Sequence, residues 1–274
     1  MAVFETPRPK VSRLVVTGAA GGIGTLLAGR LGRLADEVVR SDLADVETKA
    51  GEVSRPCDLT DLDAVRALLR GGGDVLHFGG QSVEAPFERI LNANLIGTYN
   101  LYEAARLEAA RRVLFASSNH AIGFHPRETR LDASVPTRPD SLYGVSKVYG
   151  EALARLYWDK FGVESLVLRI GSCFPEPKDR RMLATWMSAD DMIRLIERMI
   201  GVPRLGCPIV YGVSANAEQW WDNREAAYLG WTPEDSSERF RAARERAEPQ
   251  LDPRAPEVRF QGGAFCAKPH PDDR

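Results

Sequence analysis

A glycine-rich turn near the N-terminus constrains the fold more than any other feature of this sequence. Residues 13–17 (RLVVT) predict a short strand, and an apolar helix follows the turn GAAGGIG at residues 18–24. Gly18 permits the tight turn, and Gly24 allows the helix to pack closely on the strand. The order of strand, glycine turn and helix therefore predicts a dinucleotide-binding βαβ unit.

The start of this helix and the end of the next strand predict the cofactor. Gly21, Gly22 and Ile23 lie at the helix N-terminus, where backbone N–H groups can bind a pyrophosphate. Asp42 follows the second predicted strand, 18 residues after the last glycine of the turn. An aspartate there can accept hydrogen bonds from both adenosine ribose hydroxyls and would repel a 2′-phosphate. We therefore expect NAD rather than NADP, while Arg40 nearby keeps NADP open as an alternative.

Strands and helices alternate along the chain up to residue 170. Further strands are expected at residues 52–57, 75–78, 112–116 and 165–170, and helices at residues 63–69, 87–110 and 143–161. This alternation is typical of an α/β protein with a doubly wound parallel sheet, the Rossmann fold, whose ligand crevice lies at the carboxyl ends of the strands. We expect residues 1–170 to form the NAD-binding domain. Residues 171–274 should form a small substrate-binding lobe and a C-terminal tail, with Trp186, Trp220, Trp221 and Trp231 packing the lobe.

Residues that follow the third and fourth strands are candidates for cofactor contacts. Asp58 and Leu59 end the third strand, and Asp58 could hold the adenine amino group or only cap the next helix, for which Thr60 and Asp61 are also candidates. The fourth strand ends at Phe78, Gly79 and Gly80, where glycine lets the backbone come close to a cofactor.

Two further polar residues lie beyond these glycines. Ser82 would face the nicotinamide side of the crevice. Asn94, early in the following helix, could brace the active-site backbone or be only a polar helix residue.

A tyrosine and a lysine four residues apart open the helix predicted for residues 143–161. Positions i and i+4 share one face of a helix, and a lysine cation favours phenolate over phenol. Tyr143 could therefore act as a base near neutral pH, with Lys147 as its electrostatic partner. Because such pairs also arise by chance, the interpretation depends on the polar cluster Ser118-Asn119-His120, which closes an upstream strand.

Together, the glycine turn, Ser118 and the Tyr143-x-x-x-Lys147 pair resemble the short-chain dehydrogenase/reductase superfamily, in its extended, sugar-active branch. The stretches FASSNH, RIGSC, RML, WWDN and RFQGG further resemble the uronate dehydrogenase family over residues 13–265. That resemblance implies an NAD-dependent oxidation of glucuronate or galacturonate at C1 to the aldaric acid lactone. The sequence departs from the family at Gly22, Ile23 and beyond Phe265.

The resemblance also implies a role for each matching residue. Tyr143 would be the base, Lys147 its partner and a ribose ligand, and Ser118 would orient the C1 oxygen of the sugar. Contacts to ring hydroxyls are implied for Ser82, Asn119, His120 and Ser172.

A second set of implied roles lies after the sixth predicted strand. Ile170 and Cys173 would line the nicotinamide pocket, Cys173 through its backbone rather than as a nucleophile. Arg181 is the candidate for the substrate carboxylate because a guanidinium offers a bidentate fork. Arg180 and Lys178 are its rivals.

Composition excludes several classes of partner. Thirty-six basic and 38 acidic residues give a net charge of -2, which does not favour a nucleic-acid partner. The N-terminal residues lack the features of a signal peptide, and no apolar run approaches the roughly 20 residues of a membrane span, so we expect a cytoplasmic protein. Four scattered cysteines predict reduced thiols, with neither a metal site nor a disulfide framework. The sequence is compatible with a homo-oligomer.

Two other functions remain open at the level of sequence. A nucleotide-sugar epimerase or dehydratase would share the fold and the Ser/Tyr/Lys set, but such enzymes usually need a longer C-terminal lobe. A non-catalytic NAD-sensing module on the same fold would be expected to lose the Tyr/Lys pair, which is present here.

Overall fold

The computed structural model describes residues 9–248 and 252–273. Within them, one sheet contains seven parallel strands: Val11–Thr17 (β1), Ala35–Ser41 (β2), Glu52–Ser54 (β3), Gly73–His77 (β4), Ala110–Ser118 (β5), Glu164–Ile170 (β6) and Ile209–Gly212 (β9). Their order across the sheet is β3-β2-β1-β4-β5-β6-β9. The short strands Ser172–Cys173 (β7) and Trp186–Met187 (β8) pair separately and in parallel.

Helices cover both faces of the sheet. The α-helices are Gly22–Leu27 (α1), Leu62–Leu69 (α2), Phe87–Ile90 (α3), Gly97–Leu107 (α4), Leu142–Phe161 (α5), Met182–Thr185 (α6), Ala189–Gly201 (α7), Arg241–Ala247 (α8) and Pro256–Arg259 (α9). One apolar core lies between the sheet and α1 and α7, and the other between the sheet and α2, α4 and α5. The predicted doubly wound parallel fold is confirmed.

Shorter elements connect these helices and strands. A π-helical turn spans Leu91–Ile96, and 3-10 turns span Asn119–Ile122, Arg224–Leu229, Ser237–Phe240 and Gly263–Ala267. No helix of the described residues combines the length and the apolar character that a membrane crossing requires. The N-terminal residues, on which the expectation about a signal peptide rests, lie outside the described part.

The structure corrects two predicted elements. The helix expected over residues 87–110 is instead α3, the π-helical turn and α4, and it ends at Leu107 because Ala109 adopts the left-handed conformation with φ 53°. The third strand ends at Ser54 and not at residue 57. Pro56, which has no N–H to donate, lies between these two positions.

The sheet also extends past the expected domain boundary at residue 170. Strand β9 pairs with β6, for example through Leu168 and Val210, and α7 packs in the core beneath it. The sheet therefore includes residues 209–212, and a separate substrate lobe remains a prediction for the rest of residues 171–274. Three of the four tryptophans assigned to the lobe are buried, and Trp231 is partly buried.

Helix α5 packs directly on β5, and its small residues make this approach possible. Ser141 caps the helix by accepting from the N–H of Gly144, and Gly162 ends it with φ 73°. A Cβ at Gly150 would overlap the ring of Phe115 in β5. The distance between helix and sheet is therefore set by the absence of a side chain at this position.

We expect Gly150→Ala to lower the free energy of unfolding by about 1–3 kcal/mol, because overpacking outweighs the better helix propensity of alanine. Denaturant unfolding of the two proteins measures the difference. The exposed Ala152→Gly variant of the same helix reports the propensity effect alone, a loss of about 1 kcal/mol. A gain in stability for Gly150→Ala would contradict the packing argument.

Candidate active site

The turn after β1 meets the loop after β4 at the carboxyl edge of the sheet. Gly18 has φ 71°, and a Cβ here would lie 2.6 Å from the backbone nitrogen of Gly79. A Cβ on Gly24 would lie 2.5 Å from the carbonyl oxygen of Gly18. Glycine is thus required at both positions by contacts within the protein, independently of any ligand.

The start of α1 has the properties of a pyrophosphate site. Gly21 is the N-cap, and in the described part of the chain no side chain caps this helix. Gly21 and Gly22 are exposed, and a Cβ on Gly22 would meet nothing within 4 Å. Backbone N–H groups of the first turn, including that of Ile23, have no partner within the helix. These donors and the open space above them fit a dinucleotide.

Asp42 lies just after β2, beside the glycine turn. Its Oδ2 accepts from the N–H of Ala20 and its Oδ1 from the N–H of Leu43, both at 2.9 Å. The side chain is partly exposed, and an ionised carboxylate has further lone pairs to offer. This position fits the predicted contacts with ribose hydroxyls.

Arg40 faces away from that position. Only 4% exposed, it donates to the carbonyls of Ala19 at 2.8 Å and Gly24 at 3.2 Å and pairs with Glu52 at 3.3 Å. Its guanidinium therefore supports the underside of the glycine turn and is not available to a 2′-phosphate. This removes the sequence-based argument for NADP.

Asp58 and Leu59 lie in the loop between β3 and α2. Oδ1 of Asp58 accepts from the N–H and the hydroxyl of Thr60, both at 2.8 Å. The cap of α2 is Asp61, which accepts from two backbone N–H groups of the first turn. Asp58 therefore stabilises a local turn and does not cap the helix, and its contact with adenine stays a prediction.

The loop after β4 begins with Phe78, Gly79 and Gly80, close to the glycine turn. The N–H of Phe78 donates to the carbonyl of Thr17 at 3.2 Å. A Cβ on Gly79 would lie 2.6 Å from the side chain of Leu59, and Gly80 has φ 130°. Backbone therefore lines this side of the crevice, as the sequence predicts.

Asn94, in the π-helical turn, joins this loop to α5. Its Oδ1 accepts from the N–H of Gln81 at 2.7 Å, and its Nδ2 donates to the Gln81 carbonyl at 3.0 Å and to Oγ of Ser146 at 2.8 Å. Ser146 in turn donates to the carbonyl of Tyr143 at 2.7 Å. These contacts bear out the bracing interpretation, while a direct contact of Asn94 with the cofactor stays a prediction.

Tyr143 and Lys147 lie in the first two turns of α5 and are buried, at 8% and 7% exposure. Nζ of Lys147 lies 5.4 Å from the ring centroid of Tyr143 and 5.4 Å from that of Phe115. Burial raises the pKa of Tyr143 to about 12, although a hydrogen bond with Ser118 acts in the opposite direction. Burial likewise lowers the pKa of Lys147 to about 8.

The expected phenolate near neutral pH is therefore wrong for the protein alone. Desolvation of the phenol disfavours its charged form, and at Tyr143 this effect outweighs the lysine charge on which the expectation rests. With a pKa of about 12, Tyr143 is a phenol at neutral pH. The role of Tyr143 as the base stays a prediction.

Ser118, at the end of β5, connects this pair to His120. It caps the 3-10 turn that follows by accepting from the N–H of His120 at 3.2 Å. Nδ1 of His120 lies 2.8 Å from Oδ2 of Asp140, and the imidazole stacks on Phe265 with centroids 3.8 Å apart. Burial lowers the pKa of His120, against the opposing effect of Asp140. A neutral imidazole that donates Nδ1–H to this carboxylate keeps Nε2 as an acceptor.

Arg181 and Asn119 meet at the opening between β6 and α6. The carbonyls of Ile170 and Gly171, both at 3.2 Å, fix the Asn119 amide because they can only accept from its nitrogen. Its oxygen then accepts from Nη2 of Arg181 at 2.5 Å, and Nε of Arg181 donates to the Gln261 carbonyl at 2.7 Å. Among the residues described, no carboxylate forms an ion pair with this guanidinium. Burial lowers the pKa of Arg181, and the negative charges of Asp179 and Asp140 act in the opposite direction.

The two rival cations point elsewhere. Arg180 donates to the carbonyls of Glu245 at 2.5 Å and Glu248 at 3.0 Å, near the end of α8. Lys178 is exposed, with Nζ 3.8 Å from the ring centroid of Phe174. Of the three candidate cations Lys178, Arg180 and Arg181, it is Arg181 that lies beside Asn119.

The remaining predicted residues differ in their surroundings. Ser82 is exposed in the loop after β4, and Ser172 is buried with its hydroxyl 2.9 Å from that of Thr185. Ile170 ends β6, and Cys173 follows in β7. Burial raises the pKa of Cys173 to about 12, which is unsuited to a nucleophile.

Several residues that build the site were missed in the sequence. Glu84 accepts from two N–H groups at the start of α5, Asp140 orients His120, Gln261 holds Arg181, and Phe265 covers the imidazole. Asp140 stands before the capping Ser141, a recognisable helix-start signal. Glu84 carries no such signal, because its partners lie 58 and 59 residues further along the chain.

Known proteins share this architecture. The model of the NAD dependent epimerase/dehydratase family matches residues 14–189. Uronate dehydrogenase from Agrobacterium fabrum is 50% identical over 261 residues, 94% of this chain and 98% of that protein. The crystal structure of a glucuronic acid dehydrogenase from Chromohalobacter salexigens is 55% identical and superposes with a TM-score of 0.94, covering 96% of this chain and 99% of that one.

A second solved structure includes the cofactor. A mutant uronate dehydrogenase from Agrobacterium tumefaciens complexed with NAD is 50% identical and has a TM-score of 0.92, covering 94% of this chain and 98% of that one. Identity at this level extends over almost the whole of each chain. The chain therefore belongs to the uronate dehydrogenase group of the NAD dependent epimerase/dehydratase family.

Proposed function

We propose that the protein oxidises a uronic acid, glucuronate or galacturonate, at C1 to the aldaric acid lactone, with NAD as the hydride acceptor. The observation that carries this proposal is the guanidinium of Arg181, which is partly buried, forms no ion pair with a carboxylate of the described residues and is joined through Asn119 to the Ser118–Tyr143 site. A partly buried cation without an ion-pair partner favours a ligand that brings its own carboxylate. Oxidation of a cyclic sugar at C1 converts its hemiacetal to a lactone.

The residues of the site have separate roles in this reaction. Tyr143 takes the proton of the C1 hydroxyl, Ser118 orients the C1 oxygen, and the C1–H bond supplies the electron pair that leaves as hydride. Lys147 holds the ribose and supplies positive charge beside the phenol. When bound, NAD accepts the hydride, and its positively charged nicotinamide ring favours the phenolate form of the base.

His120 and Phe265 favour a free sugar acid over a nucleotide sugar. The stacked pair closes the crevice beside Tyr143, with the Phe265 ring centroid 6.3 Å from that of Tyr143. A nucleotide attached at C1 would have to pass this wall. In the proposed complex, Nε2 of His120 accepts a hydrogen bond from a ring hydroxyl. The side chains of Ser82 and Ser172 contact other ring hydroxyls.

The cytoplasm is the proposed location, supported by four cysteines that are free thiols in the structure. A homo-oligomer is proposed from exposed apolar side chains on neighbouring helical segments. These are Ile96, Tyr99, Val145 and Leu156, each at least 37% exposed.

The substrate class is tested by following NADH absorbance with a panel of uronates, neutral aldoses and nucleotide sugars. We expect Arg181→Ala to lower kcat/KM for glucuronate by the equivalent of about 2–5 kcal/mol, because the carboxylate loses its partner. Glucose should react poorly with the wild type and be almost indifferent to the change. An equal loss for both sugars would mean that Arg181 shapes the protein and does not recognise the acid.

The base is tested by Tyr143→Phe, which should retain NAD affinity while turnover falls by roughly 100-fold or more. Because the raised pKa of Tyr143 leaves it a phenol at neutral pH, the wild-type rate of oxidation should rise with pH as the proton is lost. The residual rate of the variant should lack this rise. Rate profiles of both proteins against pH check the assignment, and a variant with the wild-type profile would remove Tyr143 from the role.

Coenzyme choice tests the role of Asp42. The wild type should use NAD far better than NADP, because the carboxylate repels a 2′-phosphate and Arg40 is occupied beneath the turn. Asp42→Ala should narrow the difference mainly by weakening NAD. Steady-state kinetics with both coenzymes and one uronate decide the point, and a preference of the wild type for NADP would refute it.

A further inference from the structure

The loop between β4 and α3 carries residues from both sides of the proposed reaction. It begins with Gly79 and Gly80 against the cofactor site and continues to Ser82, the proposed sugar contact. Asn94 fixes its beginning through two hydrogen bonds to the backbone of Gln81, at 2.7 and 3.0 Å. The end of the loop needs a second attachment if Ser82 is to keep a defined position.

Glu84 provides that attachment, and the structure connects it to the base itself. Oε1 of Glu84 accepts from the N–H of Leu142 at 3.0 Å, and Oε2 accepts from the N–H of Tyr143 at 2.8 Å. Each carboxylate oxygen thus holds one of the first two N–H groups of α5. The donors are unpaired within the helix, and the acceptor is an anion at the positive end of the helix dipole.

Apolar contacts continue from this carboxylate to the phenol. Ala85, which follows Glu84, is buried in one cluster with Tyr143 and Ile90. The loop therefore contacts both the main-chain N–H of Tyr143, through Glu84, and the Tyr143 side chain, through Ala85. A shift of the loop would move Ser82 and the packing surface of the base together.

Helix capping alone does not require this arrangement. Ser141 already caps α5 by accepting from the N–H of Gly144 at 2.9 Å, and the Ser141 carbonyl accepts from the N–H of Val145 at 2.9 Å. Glu84 adds a link between two segments that are far apart in sequence. Such a link costs side-chain and loop entropy and is of use where a distance must be kept.

We propose that Glu84 is a positioning residue for the reaction, which fixes the loop that bears Ser82 at a set distance from Tyr143. This inference rests on the proposed function, in which Tyr143 is the base and the loop contacts the sugar. Loss of the link leaves the base intact but places the substrate less accurately, which lowers turnover and weakens substrate binding.

Glu164 offers a matched control at the opposite edge of the sheet. Its Oε1 accepts from the N–H groups of Leu205 and Gly206 at 2.7 and 2.9 Å, and its Oε2 accepts from Arg112 at 2.8 Å. It is thus also a glutamate that binds two consecutive N–H groups, but it lies at the amino end of β6, away from the site. The same substitution there removes stability without touching the reacting groups.

The experiment compares the wild type with E84Q, E84A and E164Q. For each protein, NADH binding gives the number of competent sites, thermal unfolding gives Tm, and steady-state kinetics give kcat per competent site and KM. We expect kcat of E84A to fall about tenfold or more with a raised KM, because small misplacements of reacting groups are costly. E84Q keeps one accepting oxygen and should lie between E84A and the wild type. E164Q should lower Tm yet keep kcat per competent site near the wild-type value.

A purely structural role for Glu84 predicts a different result. Both Glu84 variants would then lose Tm or competent sites while kcat per site and KM stay at the wild-type values, which would overturn the inference. Equal losses of kcat per site in E84Q and E164Q would also overturn it. The proteins are assayed with whichever sugar of the panel the wild type oxidises. Absence of uronate oxidation therefore refutes the proposed function, while the comparison of Glu84 with Glu164 still decides the positioning role.

Discussion

A buried ion pair between Glu151 of α5 and Arg169 of β6 sets the frame on which the active site depends. Arg169 donates Nε and Nη2 to the two carboxylate oxygens, both at 2.9 Å, and the hydroxyl of Ser117 donates to the same carboxylate at 2.5 Å. The side chains are 2% and 8% exposed, so neither ion retains its water. Desolvation of two ions costs several kcal/mol, which only a bidentate geometry with further hydrogen bonds can offset. The pair is therefore better understood as fixing the register of α5 on the sheet than as a source of net stability. Asn119 lies two residues after Ser117 in the chain. Tyr143 lies about two helical turns before Glu151 in α5.

The electrostatics of the site follow from the same burial. Tyr143 and Lys147 attract each other in their charged forms, but each must lose water to stand in this crevice, and the pKa shifts show that the loss of water dominates. Burial therefore favours the protonated phenol of Tyr143 and weakens the hold of the Lys147 ammonium group on its proton. In the proposed reaction, a cofactor that brings positive charge into the crevice would favour the phenolate form of Tyr143.

The sequence predicted the parts of this structure that depend on local patterns. The glycine turn, the strand and helix alternation and the start of α5 all follow from residues close together in the chain, and the parallel sheet follows from their order. The break in the long helix before β5 was not predicted, because it depends on the left-handed conformation of Ala109 and on a π-helical turn around Asn94. Strand β9 was missed for a similar reason. The four residues of β9 form a strand because they pair with β6, and no local sequence pattern encodes that contact.

The contrast between Arg180 and Arg181 shows why long-range packing decides between equivalent residues. Arg180 and Arg181 are adjacent and identical in chemistry, and sequence alone gives no physical reason to separate them. The structure separates them because Arg180 is drawn to the carbonyls at the end of α8, whereas Gln261 and Asn119 hold Arg181 from two distant segments. Gln261 is itself fixed, since its side chain accepts from the indole of Trp221 at 2.7 Å and donates to the Thr129 carbonyl at 2.8 Å. Both acceptors of Arg181 are neutral, so they orient the guanidinium without cancelling its charge. Arg181 is thus oriented by a side-chain amide oxygen and a main-chain carbonyl oxygen, which leaves its positive charge available to the carboxylate of the proposed substrate.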